Sequence, residues 1–289
     1  MRNYFVIDSS QQPGYHKRLE RNGISFRSLF LGSAEESLQD IAPLLVEIPS
    51  EPMQIRSFVG SEIARIASRR PCISLLESKL DIDTLAYYLR QFHTIDLPEG
   101  RRMILRWYDT RILPVWWAVL DEPQKKAFSR EVVNWKYYDR FGDQLALLLP
   151  TCDDSMASCQ ISLSASQYQG LLEAAEPDVL ISHLRNILRD ELRRIPPRWL
   201  YPFVRDHLKM ARNCGLENFD DQVQYLIIAI YTSGGFVGSP IVKNRLELHD
   251  SLHEVPFNEW AENLPSSVWS TGKPLWEVQG EDRCGVVAQ

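Results

Sequence analysis

Residues 102–113 read Arg102-Met-Ile-Leu-Arg-Trp-Tyr-Asp-Thr-Arg-Ile-Leu113, and the class of fold turns on how this stretch is read. Met103–Tyr108 is rich in β-forming residues, gives the strongest strand signal in the chain, and stops at a polar corner, Asp109-Thr-Arg111. Arg106 alternates with Leu105 and Trp107. Arginine's planar fork pairs bidentately with carboxylates, so Arg106, Asp109 and Arg111 are suited to lock one corner of a sheet or to present a recognition surface. Locking is the plainer role.

Working outward, further strand signals lie at Tyr4–Ile7, closed by Asp8-Ser-Ser, at Phe26–Phe30, at Leu44–Ile48 between two prolines, and at Ile73–Leu76. Helical signals alternate with them. Ser33-Ala-Glu-Glu36 has the capping-box pattern and predicts a helix to about Ile41. Ile55, Phe58, Val59, Ile63 and Ile66 fall at helical spacing, and Asp81 caps a helix whose apolar face is Leu85, Tyr88, Leu89 and Phe92. Asp121 and Gln124 stand in capping-box register, and Asn134–Tyr138 and Leu145–Leu149 are strand-like. Residues 1–150 therefore read as an α/β lobe, a mixed sheet flanked by helices.

Residues 151–165 are small and polar and read as a linker. Residues 166–289 read as an all-α lobe with an irregular tail. Pro177 marks a helix start ahead of Leu180, Leu184, Ile187, Leu188 and Leu192, and Pro196-Pro197 breaks that helix. Another helix carries Phe203, Val204, His207, Leu208 and Ala211 and is capped at Gly215. A further one spans about Asp220 to Tyr231, and the next runs from Pro240 to about His249. The last forty residues, with three tryptophans, predict a strap over the surface.

Composition narrows the function. Hydrophobic residues make up 44% and charged residues 24%, the balance of a folded chain. Net charge is −6 and the pI about 5.6, which argues against nucleic acid as the main partner. No stretch has the length of a membrane span, and the N-terminal apolar run is too short for a signal-peptide core, so a cytoplasmic protein is expected. The five cysteines are scattered and never form C-x-x-C, so neither a zinc site nor a disulfide framework is expected.

Each candidate for chemistry has a plainer reading. His249 and His253 are four apart, but the spacer Asp-Ser-Leu lacks the metalloprotease glutamate and no third ligand is evident. His93 follows an apolar helix face and reads as structural. Ser233-Gly-Gly-Phe-Val-Gly-Ser239 lacks the Gly-Lys-Ser/Thr ending of a phosphate loop and reads as a helix cap with a turn. There is no G-x-S-x-G elbow. Asp8, at the end of the first strand, has the position of a catalytic carboxylate, but Asp before Ser-Ser also makes a turn. No catalytic set, metal site or cofactor is expected. Trp107, Tyr108, Trp116, Trp117, Trp135, Tyr137 and Tyr138 crowd into one region, and large aromatics beside arginines are what binding hot spots are made of. A binding protein is the outcome of this reading.

The order of motifs resembles the domain-of-unknown-function 4123 (DUF4123) family. The resemblance is carried by Tyr4-Phe-Val-Ile-Asp8, Phe26-Arg-Ser-Leu-Phe30, Ala42-Pro-Leu-Leu-Val46 and the stretch 102–113, and covers about residues 4–140. It implies an effector chaperone, or adaptor, of type VI secretion in a Gram-negative bacterium. Such a protein holds a cognate effector in the cytoplasm and promotes its loading onto the VgrG spike protein, with no catalysis and no cofactor. Asp8, Arg27, Phe30, Arg106, Tyr108, Asp109 and Arg111 match the family signature as positions, and with Trp107 they are the candidates for effector binding or for holding the lobe. Thr110 stands where the family often has proline. Two other readings are a small-molecule enzyme using Asp8 and a delivered toxin.

Overall fold

The structure, a computed structural model, describes residues 1–151, 161–247 and 254–278. The chain divides into two compact units, Met1–Ala174 and Ala175–Gln289. The division falls inside a long helix, Ala165–Ile187, downstream of the polar stretch 151–165. Ile161 and Leu163 are buried in the core of the first unit.

The first unit is built on eight strands: β1 Arg2–Ile7, β2 Phe26–Ser28, β3 Leu44–Ile48, β4 Ile73–Ser78, β5 Thr94–Asp96, β6 Arg102–Ile104, β7 Asn134–Tyr138 and β8 Gln144–Ala146. Six of them form one sheet in the order β2-β3-β1-β4-β7-β8, and β5 and β6 pair separately. Every one of these ladders is antiparallel. Tyr4, Phe5, Val6 and Ile7 are all fully buried. Since successive side chains point to opposite faces, both faces of the sheet are covered at its centre, which is why β1 reads as an unbroken apolar run. The helices Met53–Ala67 and Ile82–Arg90 form as their spacing predicts. The second is capped by Asp81, whose side chain accepts from the Thr84 N–H. Asp121 and Gln124 make the capping box in full.

Two expectations for this unit fail. Only Arg102–Ile104 of the strong strand signal is a strand; residues 105–108 leave it for a buried turn. Leu105, Trp107 and Tyr108 are all buried, with the Trp107 and Tyr108 rings 5.7 Å apart, so core packing overrides β-propensity. Ser33–Ile41 forms turns and one 3₁₀ turn instead of a helix. The Ser33 hydroxyl donates back to the Phe30 carbonyl, and the segment is too exposed for packing to support a helix. The aromatic crowd is mostly core, as so many large aromatics in one stretch require. Phe128 stands at its centre, with Phe92, Trp107, Trp116 and Trp135 around it at 5.0–6.0 Å between centroids. Of the seven aromatics counted as binding anchors, only Trp117 and Tyr138 are partly open.

In the second unit the helix Phe219–Thr232 is apolar on nearly every side, and Pro197–Asn213, Phe257–Ala261 and Ser266–Trp269 pack against it. Pro177 is inside Ala165–Ile187 and does not start it, because Leu180, Ile181 and Leu184 bury on its far side and carry the helix through the lost hydrogen bond. Gly215, at φ +82°, ends Pro197–Asn213, and the Leu216 N–H bonds back to the Ala211 carbonyl. Residues 254–278 are not a surface strap: Phe257, Val268 and Leu275 are buried. Gly272 comes so close to the end of Phe219–Thr232 that a Cβ there would be 2.0 Å from the Thr232 carbonyl oxygen.

Candidate functional site

The signature side chains converge where β1 ends and β4 begins. Asp8 terminates β1 and is fully buried. One of its oxygens accepts from the Ser10 N–H at 3.1 Å; the other accepts from Gln11 Nε2 at 3.2 Å and Arg106 Nη2 at 2.7 Å. Gln11 also donates to the Pro71 carbonyl, and Arg106 to the Ser10 hydroxyl at 2.6 Å. The whole Asp8-Ser-Ser turn is thus tied to the segment leading into β4 and to the signature stretch.

Asp109 is the second buried carboxylate. Arg111 grips it with Nε and Nη2 at 3.0 and 2.6 Å, and its oxygen also accepts the Arg111 backbone N–H. Arg106 lies 3.8 Å from Asp109, so Asp8 is its closer partner. Thr110 fastens the corner by donating its N–H to the Pro71 carbonyl and its hydroxyl to the Tyr138 carbonyl. The proline usual in the family would offer neither donor. The arginine side chains are only partly enclosed: those of Arg106 and Arg111 keep 40% and 37% of their surface open, against 0% and 1% for Asp8 and Asp109.

Two groups behind the corner are held in their neutral forms. Burial, reinforced by Asp8, pushes the Cys72 thiol up to about 12. Burial raises the Tyr108 hydroxyl in the same way. Neither offers an anion at neutral pH.

The remaining signature residues are elsewhere. Phe30 is buried, its ring 6.4 Å from Tyr108 and 4.9 Å from His93. His93 is itself buried and meets Glu35 through Nε2 at 3.1 Å. Arg27 pairs with Asp83 at the surface through two hydrogen bonds of 2.6 and 3.0 Å. Ser233 and Gly234 take left-handed conformations at the end of Phe219–Thr232, the helix cap expected of that glycine-rich loop. His249 and His253 lie outside the described residues. Among the described residues, no helix is long and apolar enough to cross a membrane, and no group of three His, Cys, Asp or Glu is placed to hold a metal.

A third buried carboxylate escaped the sequence reading. Glu62 lies on the apolar stripe of Met53–Ala67 and takes paired hydrogen bonds from Arg18 (2.6 and 2.9 Å) and Arg65 (both 3.0 Å). Burial alone would raise its carboxyl, but these bonds outweigh it and hold the group below the usual range. Its signal was a lone glutamate among Val59, Ile63 and Ile66.

The fold and this corner define an α+β domain that fastens its signature arginines with buried carboxylates and is followed by a helical unit. Residues 3–127, within the first unit, match the family model described as Domain of unknown function (DUF4123), which assigns that stretch to the family. Comparison with curated proteins and with solved structures returns no match.

Proposed function

We propose that the protein is a non-enzymatic adaptor chaperone of type VI secretion, which holds a cognate effector in the cytoplasm and promotes its loading onto the VgrG spike. The observation that carries this reading is the state of Arg106 and Arg111. Each is held by a buried carboxylate while more than a third of its side-chain surface is open. A cation already held in place loses little further freedom when a partner carboxylate or carbonyl arrives, which favours specific binding. Asp8 supports the same reading, since three hydrogen bonds from Ser10, Gln11 and Arg106 occupy it as a structural anchor, an arrangement that does not suit a general base.

The test is affinity purification of the tagged protein from its own host, followed by mass spectrometry of stoichiometric partners, for the natural chain and for Arg106→Ala/Arg111→Ala. Recovery of one large toxin with the natural chain, lost in the double variant while a cooperative melt is kept at a lowered midpoint, is the expected result. A clean monomer from cells expressing the secretion machinery would sink the chaperone reading. An unfolded double variant would reduce the corner to a structural lock.

A further inference from the structure

The two edges of the six-stranded sheet are finished differently. One edge is β2. The bonds from the Leu29 N–H to the Pro43 carbonyl and from the Glu47 N–H to the Ser25 carbonyl set its ladder to β3, so the backbone groups of Phe26 and Ser28 point outward. Both outward carbonyls are taken. Arg27 Nη1 donates to Phe26 at 2.8 Å, and Arg90 donates to Ser28 through Nε and Nη2 at 3.1 and 3.0 Å. An edge covered by charged side chains resists pairing with another chain.

The other edge is β8, and it has no such cover. The Leu147 N–H bonds to the Trp135 carbonyl and the Asp139 N–H to the Asp143 carbonyl, which turns the N–H and C=O groups of Gln144, Ala146 and Leu148 away from β7. Among the described residues nothing bonds to those groups. Residues 144–149, Gln-Leu-Ala-Leu-Leu-Leu, carry no charge, and Leu145 and Leu148 are 45% and 87% exposed. The apolar surface here is open to be covered, and the backbone groups beside it are matched by an extended strand.

We infer that this edge pairs with the same edge of a second copy of the chain, β8 antiparallel to β8 about a two-fold axis at Ala146. The strand fits itself. On that axis Ala146 meets Ala146 of the second copy and Gln144 meets Leu148, so every outward N–H and C=O of the three residues finds a partner. On the opposite face Leu145 comes beside Leu147 of the second copy, apolar against apolar. Pro150, the next outward position, has no N–H to give, which keeps the register centred on Ala146. Each chain has a net charge of −6, but along this strip no like charges meet. A small residue between leucines also offers nothing with which to select a charged foreign strand. The strip is short, so the pair is a reversible one. It lies outside residues 3–127 and uses neither Arg106 nor Arg111, so it stands whether or not the chaperone reading does.

The test is sedimentation velocity of the full chain over a range of concentrations, where a reversible monomer–dimer equilibrium is expected. Ala146 is exposed, so charge can be added there without disturbing the core. Ala146→Lys and Ala146→Glu each set like charges directly across the axis and should weaken association at least about tenfold. An equimolar mixture of the two should dimerise again, because lysine of one copy then faces glutamate of the other, and that recovery also shows that both variants are folded. Ala146→Pro removes an outward N–H and no bond to β7, and should weaken association as well. Three results overturn the proposal: a monomer at every concentration, a dimer that none of these substitutions weakens, or a mixture of the two charged variants that stays monomeric.

Discussion

In the first unit the buried carboxylates Asp8, Glu62 and Asp109 are each gripped by arginine, while in the second Arg185 and Arg189 are exposed and have no ion pair among the described residues. The same side chain is used in two ways. Where a charge is buried, its partner must be present or the fold loses heavily. Where the cation faces water, removing it costs the fold almost nothing, and its strength is available to a partner. The difference separates arginines that hold the fold, as Arg106 and Arg111 do while part of each side chain stays open, from arginines that hold nothing in it, and it can be attacked by mutation.

The largest expected effect is at the corner. Asp109→Ala leaves Arg111 and the following turn without their acceptor and should lower stability by about 4 kcal/mol, the range for breaking a buried pair, as read from urea unfolding. A loss within experimental error would mean the corner holds nothing. Acidification should act on the second unit almost as strongly. Burial pushes His207 down to about 4, with Asp206 opposing weakly. Above the ordinary histidine value of 6.5 both folded and unfolded chains are neutral there. As pH falls from 6.5 towards 4 only the unfolded chain takes the proton, so about 3 kcal/mol of stability drains away in that window. Urea midpoints at both ends of it should separate the natural chain from His207→Gln, whose slope with pH should be shallower; equal slopes would reject the assignment.

Gly272→Ala comes next. Its methyl group would meet the Thr232 carbonyl, and a loss of about 2 kcal/mol is expected from the forced displacement. Smallest of all are the surface arginines. Arg185→Ala should change stability by less than about 0.5 kcal/mol, and Arg27→Ala, which breaks an exposed pair and one hydrogen bond to the Phe26 carbonyl, should shift the melting midpoint only slightly. If Arg185→Ala destabilised the chain as Asp109→Ala does, the contrast between the two units would collapse.

Much of the fold was legible because its signals are local. β1, β3 and β4 are largely apolar runs bounded by turn residues, β7 alternates buried aromatics with more open residues, and the caps at Asp81 and Asp121 are set by residues three apart. The turn at residues 105–108 was not legible, because the contact that shapes it, Arg106 to Asp8, spans 98 positions. No window of sequence weighs such a partner against β-propensity. The candidate site was readable as residue types but not as pairs: Arg106 was grouped with Asp109 and Arg111, whereas its closer acceptor is Asp8. The aromatics could not be sorted by composition, since a core and a hot spot use the same side chains. The exposed arginines of the second unit did leave a trace, one at every fourth position from 185 to 193, which as a charge pattern looks like any solvated helix face.

Cys72 turns the corner into a chemical clock. Its thiol is wholly enclosed, stays protonated at neutral pH, and lies one residue beyond Pro71, whose carbonyl receives both Gln11 and Thr110. A thiol reagent therefore reaches it only when that knot has come undone. Alkylation of Cys72, followed peptide by peptide, times the opening of the signature corner under native conditions, and a partner that clasps Arg106 and Arg111 would slow that clock without touching the sulfur.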